Sequence, residues 1–94
     1  MYILLVYDIK FDPEGDGEKI LPKVFNICKK YLYHIQNSVF EGELSKSELY
    51  KLRQELEKVI RKDLDSIIVF ESRNERWLKK EFWGVKEDKT SNFL

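Results

Sequence analysis

A chain of 94 residues with 43% hydrophobic and 14% aromatic content has the material for one domain and one core, since chains of this size bury roughly 60–70% of their unfolded surface. Seventeen Lys and Arg against seventeen Asp and Glu leave no net charge. That excludes a protein that coats nucleic acid by bulk positive charge and leaves room for a local basic face.

The chain opens on Tyr2-Ile3-Leu4-Leu5-Val6-Tyr7-Asp8, a run rich in β-branched and aromatic residues that reads as a strand covered on both faces. It ends on a carboxylate, so Asp8 is either held at the rim in water or put to use. Asp8 and Lys10 also interrupt the apolar run, and nothing approaches the ~18 apolar residues of a membrane span. The expectation is a soluble cytoplasmic protein with no membrane partner. Cys28 stands alone, which excludes an internal disulfide and suggests a small buried hydrophobe.

Residues 10–17 contain Pro13, Gly15 and Gly17 and read as a loop. Asp12, Glu14, Asp16 and Gly17 fall where a calcium loop begins, but Lys23 stands where its closing glutamate belongs, so the reading is an acidic, solvated loop. A helix is expected over residues 18–32, because Ile20, Leu21, Val24, Phe25, Ile27, Cys28, Tyr31 and Leu32 recur at helical spacing. Pro22 is tolerated in a first turn, so this helix should not begin much earlier. Lys19, Lys23 and Lys30 fall within ~40° of one another around it, as a solvated face or as a phosphate-contacting stripe.

Residues 33–44 read as two short strands divided by a turn near Gln36-Asn37-Ser38. Neighbours in a strand face opposite ways, so one of Val39 and Phe40 serves the core and the other a second surface. Ser45 and Glu48 make a capping box, with Leu44 and Leu49 as its hydrophobic staple. Leu49, Leu52, Leu56, Val59 and Ile60 then form a helix core stripe, with Glu57 and Arg61 as a supporting pair on the outside. Asp63-Leu64-Asp65 is a turn and residues 66–71 are a second buried strand. Residues 73–80 carry four bases against one acid, Phe82-Trp83-Gly84-Val85 is a short aromatic segment, and residues 86–94 have the composition of a flexible tail.

Strand, helix, strand, strand, helix, strand is the split βαβ order of an α+β, ferredoxin-like domain spanning residues 1–85. Right-handed crossovers place both helices on one sheet face. The other face would be bare although two strands are apolar on both sides, which predicts a second copy of the chain. There is no cluster of cysteines and histidines, no glycine-rich phosphate loop and no serine nucleophile elbow. His34 is the sole histidine and reads as a packing or surface residue. Asp8 is the one acid expected in an unusual position. A single carboxylate holds Mg²⁺ weakly, whereas two copies of Asp8 meeting across a two-fold would need a proton or a cation between them.

Leu4-Leu5-Val6-Tyr7-Asp8-Ile9, the segment from Ile35 to Leu44 with its Gln-x-Ser-Val-Phe-Glu-Gly core, and Asp65-Ser66-Ile67-Ile68-Val69-Phe70 closely resemble the small CRISPR-associated adaptation proteins. This is the second of the two universal CRISPR-associated families, endoribonuclease-type. The resemblance implies a ferredoxin-like homodimer whose Asp8 residues share a Mg²⁺ site, flanked by Tyr7 and Phe40. It implies that the last strand, near 82–85, crosses to extend the partner's sheet. It also implies partnership with the CRISPR integrase and a DNA duplex in spacer acquisition, with RNA as a further substrate. Lys19, Lys23, Lys30, Arg73, Arg76, Lys79 and Lys80 are the candidate nucleic-acid contacts. The chain departs from the family at the acidic loop and at His34, where arginines are common, and neither lysine nor neutral histidine reproduces a bidentate grip on phosphate. The competing reading is a ferredoxin-like regulatory or ligand-binding dimer without nuclease activity.

Overall fold

The computed structural model describes residues 1–84. Among them the order is β1 (Tyr2–Asp8), α1 (Asp16–Tyr31), β2 (Tyr33–Gln36), β3 (Val39–Glu43), α2 (Lys46–Glu57) and β4 (Ser66–Ser72), followed by a short 3-10 turn (Glu75–Trp77). The strands form one sheet in the order β2-β3-β1-β4, with antiparallel pairing throughout. This is the expected ferredoxin-like α+β fold. β1 lies inside it, with Leu5 opposite Phe40 on one side and Val69 on the other.

Strand alternation assigns the two faces. Ile3, Leu5 and Tyr7 of β1 are buried with Phe40 of β3, Val24 and Cys28 of α1, and Leu52 and Leu56 of α2, so both helices cover that face. Tyr2, Leu4 and Val6 point the other way, beside Ile68 and Phe70 of β4, which are 53% and 52% exposed. This second face is partly covered by the chain itself. Leu4, Ile35 and Val39 line a cleft with Lys79, Lys80 and Phe82, and Lys80 Nζ sits 5.6 Å over the Tyr2 ring. Apolar surface remains on the β4 side. Phe82 to Gly84 join no strand of this sheet; Val85 and the expected tail lie outside the described residues.

The local readings hold in most places. Ser45 Oγ accepts the Glu48 N–H at 3.2 Å and Glu48 Oε1 accepts the Ser45 N–H at 2.8 Å, so the capping box is complete. The β2–β3 turn falls at Asn37, whose φ of 42° places it in the left-handed region that asparagine tolerates better than most residues. Val39 is half-buried on the outer face and Phe40 fully buried on the inner one. Three readings are corrected. β4 is not the second buried strand expected, since it lies at the sheet edge and none of its residues is buried. α1 begins at Asp16, which puts Pro22 in its second turn. Pro22 gives no N–H to the Glu18 carbonyl, and because both residues are exposed that carbonyl can turn to water. Glu57 pairs with Arg53 at 3.0 Å, not with Arg61, which binds Asp65 and Asp12 beside the start of β4.

Candidate metal and nucleic-acid site

β1 ends at Asp8, opposite Ser66, the first residue of β4. No strand continues past this point to cover the carboxylate, and its side chain is 66% exposed with Lys10 Nζ at 3.5 Å. In water such a pair contributes little stability, so Asp8 is free to exchange Lys10 for another cation. The strand-end carboxylate is thus at the rim, in water.

The buried carboxylate is Asp65, one residue before β4. Its side chain is fully buried and accepts from the Lys10 N–H at 3.0 Å, the Arg61 N–H at 2.9 Å and Arg61 Nε at 3.0 Å. Arg61 Nη2 lies 2.9 Å from Asp65 Oδ1 and also donates to the Lys10 carbonyl, while Nη1 lies 3.1 Å from Asp12. The guanidinium beside it holds the Asp65 carboxyl down to about 2, against the desolvation that would raise it. Asp12 in turn accepts the Gly17 N–H at 3.0 Å, which, with Arg61, holds its own carboxyl below the usual range. The loop after Asp8 is thus clasped to the α2–β4 connection. Its leading acid faces Arg61 rather than solvent, and no group of three metal-ligating side chains forms among the described residues. Sequence reading missed Arg61 and Asp65. Their spacing of four, in a loop between an apolar helix and an apolar strand, was the available signal.

The sheet separates Asp8 from Tyr7 and Phe40. Those two rings stack on the helix side, with centroids 6.1 Å apart, and Phe40 meets Phe25 and His34 edge-on or tilted at 5.4 and 4.9 Å. They support β1 from beneath and share no surface with the carboxylate. His34 is engaged as well: its Nε2 is 2.9 Å from the Asn37 carbonyl, which braces the β2–β3 turn.

The basic candidates divide between the two faces. Lys19 and Lys23 are exposed on α1, but Lys30 is paired with Glu55 of α2, which also accepts from the Tyr31 hydroxyl. Lys80 is paired with Glu41 at 2.5 Å and Glu75 at 3.4 Å, on the outer face. Lys79 lies 3.5 Å from Glu81, and Arg73 and Arg76 are exposed beyond β4. One chain does not gather them into a single stripe. A further cleft of about 570 Å³ opens between α1 and the β2–β3 turn, reached by Tyr7, Phe25, Asn26, Asn37 and Ser38.

Fold and site together define a small ferredoxin-like domain with a lone, solvent-facing carboxylate at the end of its inner strand. The family model for the CRISPR-associated protein Cas2 matches residues 1–80, and the chain belongs to that family. It is 57% identical over its whole length, and 87% of the other's, to the CRISPR-associated endoribonuclease Cas2 of Fusobacterium nucleatum. It is 36% identical to the protein of the same name from Methanosarcina acetivorans, with both chains fully covered. Its fold matches a solved Cas2 structure with a TM-score of 0.76 and 33% identity, covering 93% of this chain and 90% of that one. The Cas2 of Streptococcus pyogenes matches at a TM-score of 0.70 and 29% identity, covering 87% and 100%. Among the described residues no helix is long and apolar enough to cross a membrane.

Proposed function

We propose that this chain acts as a homodimeric, Mg²⁺-dependent endoribonuclease-type enzyme that also serves CRISPR adaptation beside the integrase and its DNA duplex. The observation that carries the reading is Asp8: an exposed carboxylate at a strand end, on the same face as the uncovered Ile68 and Phe70. Covering that apolar surface with a second copy brings two such carboxylates toward one another. The donor set fits Mg²⁺ on those terms, because the ion keeps several waters and takes one or two carboxylates together with phosphate. When bound, it would neutralise charge developing on a phosphodiester and lower the pKa of water. Asp8 would hold the ion, Lys10 would balance its charge when the ion is absent, and the Arg61–Asp65 clasp fixes the loop that leaves Asp8. Tyr7 and Phe40 act from below, by holding the strand in place.

The basic residues favour a scaffold role over fast cleavage. Arg61, the arginine tied to the loop after Asp8, is committed to Asp65 and Asp12, which leaves lysines to meet phosphate there. The exposed Lys19, Lys23, Arg73, Arg76 and Lys79, doubled by a second copy, offer contacts to a duplex, and Lys30, Lys79 and Lys80 would exchange their ion pairs for phosphate.

Asp8→Asn tests both roles in one variant. RNA cleavage in Mg²⁺ should fall by at least a hundredfold, while dimerisation, duplex binding and integration with the partner enzyme persist. Undiminished cleavage would place the chemistry elsewhere. Loss of integration in a variant that still folds and binds DNA would make the metal site part of adaptation.

A further inference from the structure

The cleft between α1 and the β2–β3 turn takes no part in the chemistry proposed for Asp8, and its own chemistry is different. None of its lining residues is charged, so it has nothing with which to hold a phosphate or a metal ion. Pro22 and Phe25 give it apolar walls, and Asn26, Asn37 and Ser38 bring amide and hydroxyl groups. Its volume of about 570 Å³ lies within the range of small-ligand sites. Phe25 is fixed edge-on to His34 at 4.9 Å and to Phe40 at 5.4 Å, so that wall is formed in advance.

Tyr7 supplies the second, independent observation. It is 5% exposed and lines the cleft, and its hydroxyl finds no hydrogen-bond partner among the described residues. The Tyr7 hydroxyl is not among the enclosed unpartnered polar atoms, so it opens on the cleft, where it can donate to an acceptor seated there.

We propose that this cleft seats one unpaired nucleobase of a single-stranded nucleic acid, its ring against Pro22 and Phe25 and its polar edge on the Tyr7 hydroxyl and a neighbouring carboxamide. A carboxamide offers a donor and an acceptor side by side, the pattern that pairs with the edge of a base, and stacking of a base on an aromatic or apolar wall is the usual mode of single-strand recognition. The inference rests on the nucleic-acid reading above and deepens it. Tyr7 faces the helix side of the sheet and Asp8 the other, so the cleft would hold a base apart from the carboxylate and set where along the nucleic-acid strand the protein binds.

The test uses the full chain without Mg²⁺ and a short single-stranded RNA carrying one 2-aminopurine and a terminal dye. Dye anisotropy reports binding, and 2-aminopurine fluorescence reports seating of the base. Binding should quench 2-aminopurine in the wild type and in Asp8→Asn, and leave it bright in Asn26→Leu, a change at an exposed position that does not threaten the fold. Tyr7→Phe keeps the ring on Phe40 and removes only the hydroxyl. It should narrow the spread of affinities among the four homopolymers by about three- to tenfold, the worth of one hydrogen bond. Quenching that is the same in wild type and Asn26→Leu would overturn the proposal, as would an unaltered spread in Tyr7→Phe. If anisotropy rises while 2-aminopurine stays bright, the cleft reading alone fails; if anisotropy does not change, the single-strand reading fails with it. Amide protection of Phe25 and Asn26 by added integrase, without any response to RNA, would assign the cleft to protein docking and overturn the base-binding proposal.

Discussion

Asp65 and Arg61 show how one side-chain pair can position a proposed metal ligand, Asp8, that neither of them touches. Asp65 takes the Lys10 N–H, Arg61 takes the Lys10 carbonyl, and together they fix the chain two residues after Asp8. Because the Asp65 carboxyl is held at about 2 against 3.8 ordinarily, its ionised form favours the folded state. That stabilisation is complete above the ordinary value and is lost as pH falls through the native one. It is worth about 2 kcal/mol. Urea midpoints should therefore drop between pH 4 and pH 2, and Asp65→Asn should reduce that drop while lowering stability at neutral pH. Asp12 and Glu48 are depressed too, so part of the slope should survive the substitution. A wild-type slope in Asp65→Asn would show that the clasp does not depend on charge. The sequence pointed to Asp8 as the special acid by its place at a strand end. Whether a strand-end residue is buried depends on where its neighbour strand begins, and β4 begins opposite Asp8 without passing it. That is a tertiary fact with no local signature.

Helix starts illustrate what local chemistry can and cannot convey. The start of α2 was legible because a capping box needs two residues, Ser45 and Glu48, at fixed separation. The start of α1 was not, because its geometry comes from a distant part of the loop. Gly15 enters with φ of 78°, Asp12 caps from five residues away by accepting the Gly17 N–H, and a Cβ on Gly17 would lie 2.2 Å from the Lys10 carbonyl oxygen. Gly17 is required by that close approach of backbone, which outweighs the preference of a helix interior for any other residue. Two substitutions separate these cases. Ser45→Ala removes one cap and should cost about 1 kcal/mol. Gly17→Ala forces the loop off the helix start and should cost more, about 2 kcal/mol or above. It should also loosen Asp8, seen as faster amide exchange over residues 8–12. A Gly17→Ala protein as stable as wild type would mean that the loop moves aside freely. The hairpin of β2 and β3 was readable for the same reason as α2: its turn residues and alternation are local.

At the scale of the whole molecule, the two-fold site proposed for Asp8 depends on the sheet face away from the helices. The sequence implied that this face is apolar, but not that residues 79–83 lie along part of it, because an irregular segment has no period to read. The result is an asymmetric surface: Lys80 is tied to Glu41 and covers Tyr2 at one side, and Ile68 and Phe70 stand half exposed at the other. Those two residues pair across β1 with Val6 and Leu4, in the same row as Asp8. A stable association needs about 800 Å² from each partner, more than these side chains supply, so the strand edge and the aromatic Phe82 and Trp83 have to contribute. Trp83 is 88% exposed, which is unusual for so large a ring and marks it for burial elsewhere. The intact protein should sediment as a dimer at micromolar concentration. The double substitution Ile68→Lys with Phe70→Lys should shift it to monomer without lowering the cooperativity of unfolding, because neither side chain belongs to the core. Deleting residues 81–94 should weaken the dimer by removing Phe82 and Trp83. Any Mg²⁺-dependent cleavage should decline in proportion to the dimer, since a monomer offers the ion one exposed carboxylate and nothing to oppose it. Full cleavage by the double-substituted protein while it sediments as a monomer would show that Asp8 acts without its counterpart, and the two-fold site would have to be abandoned.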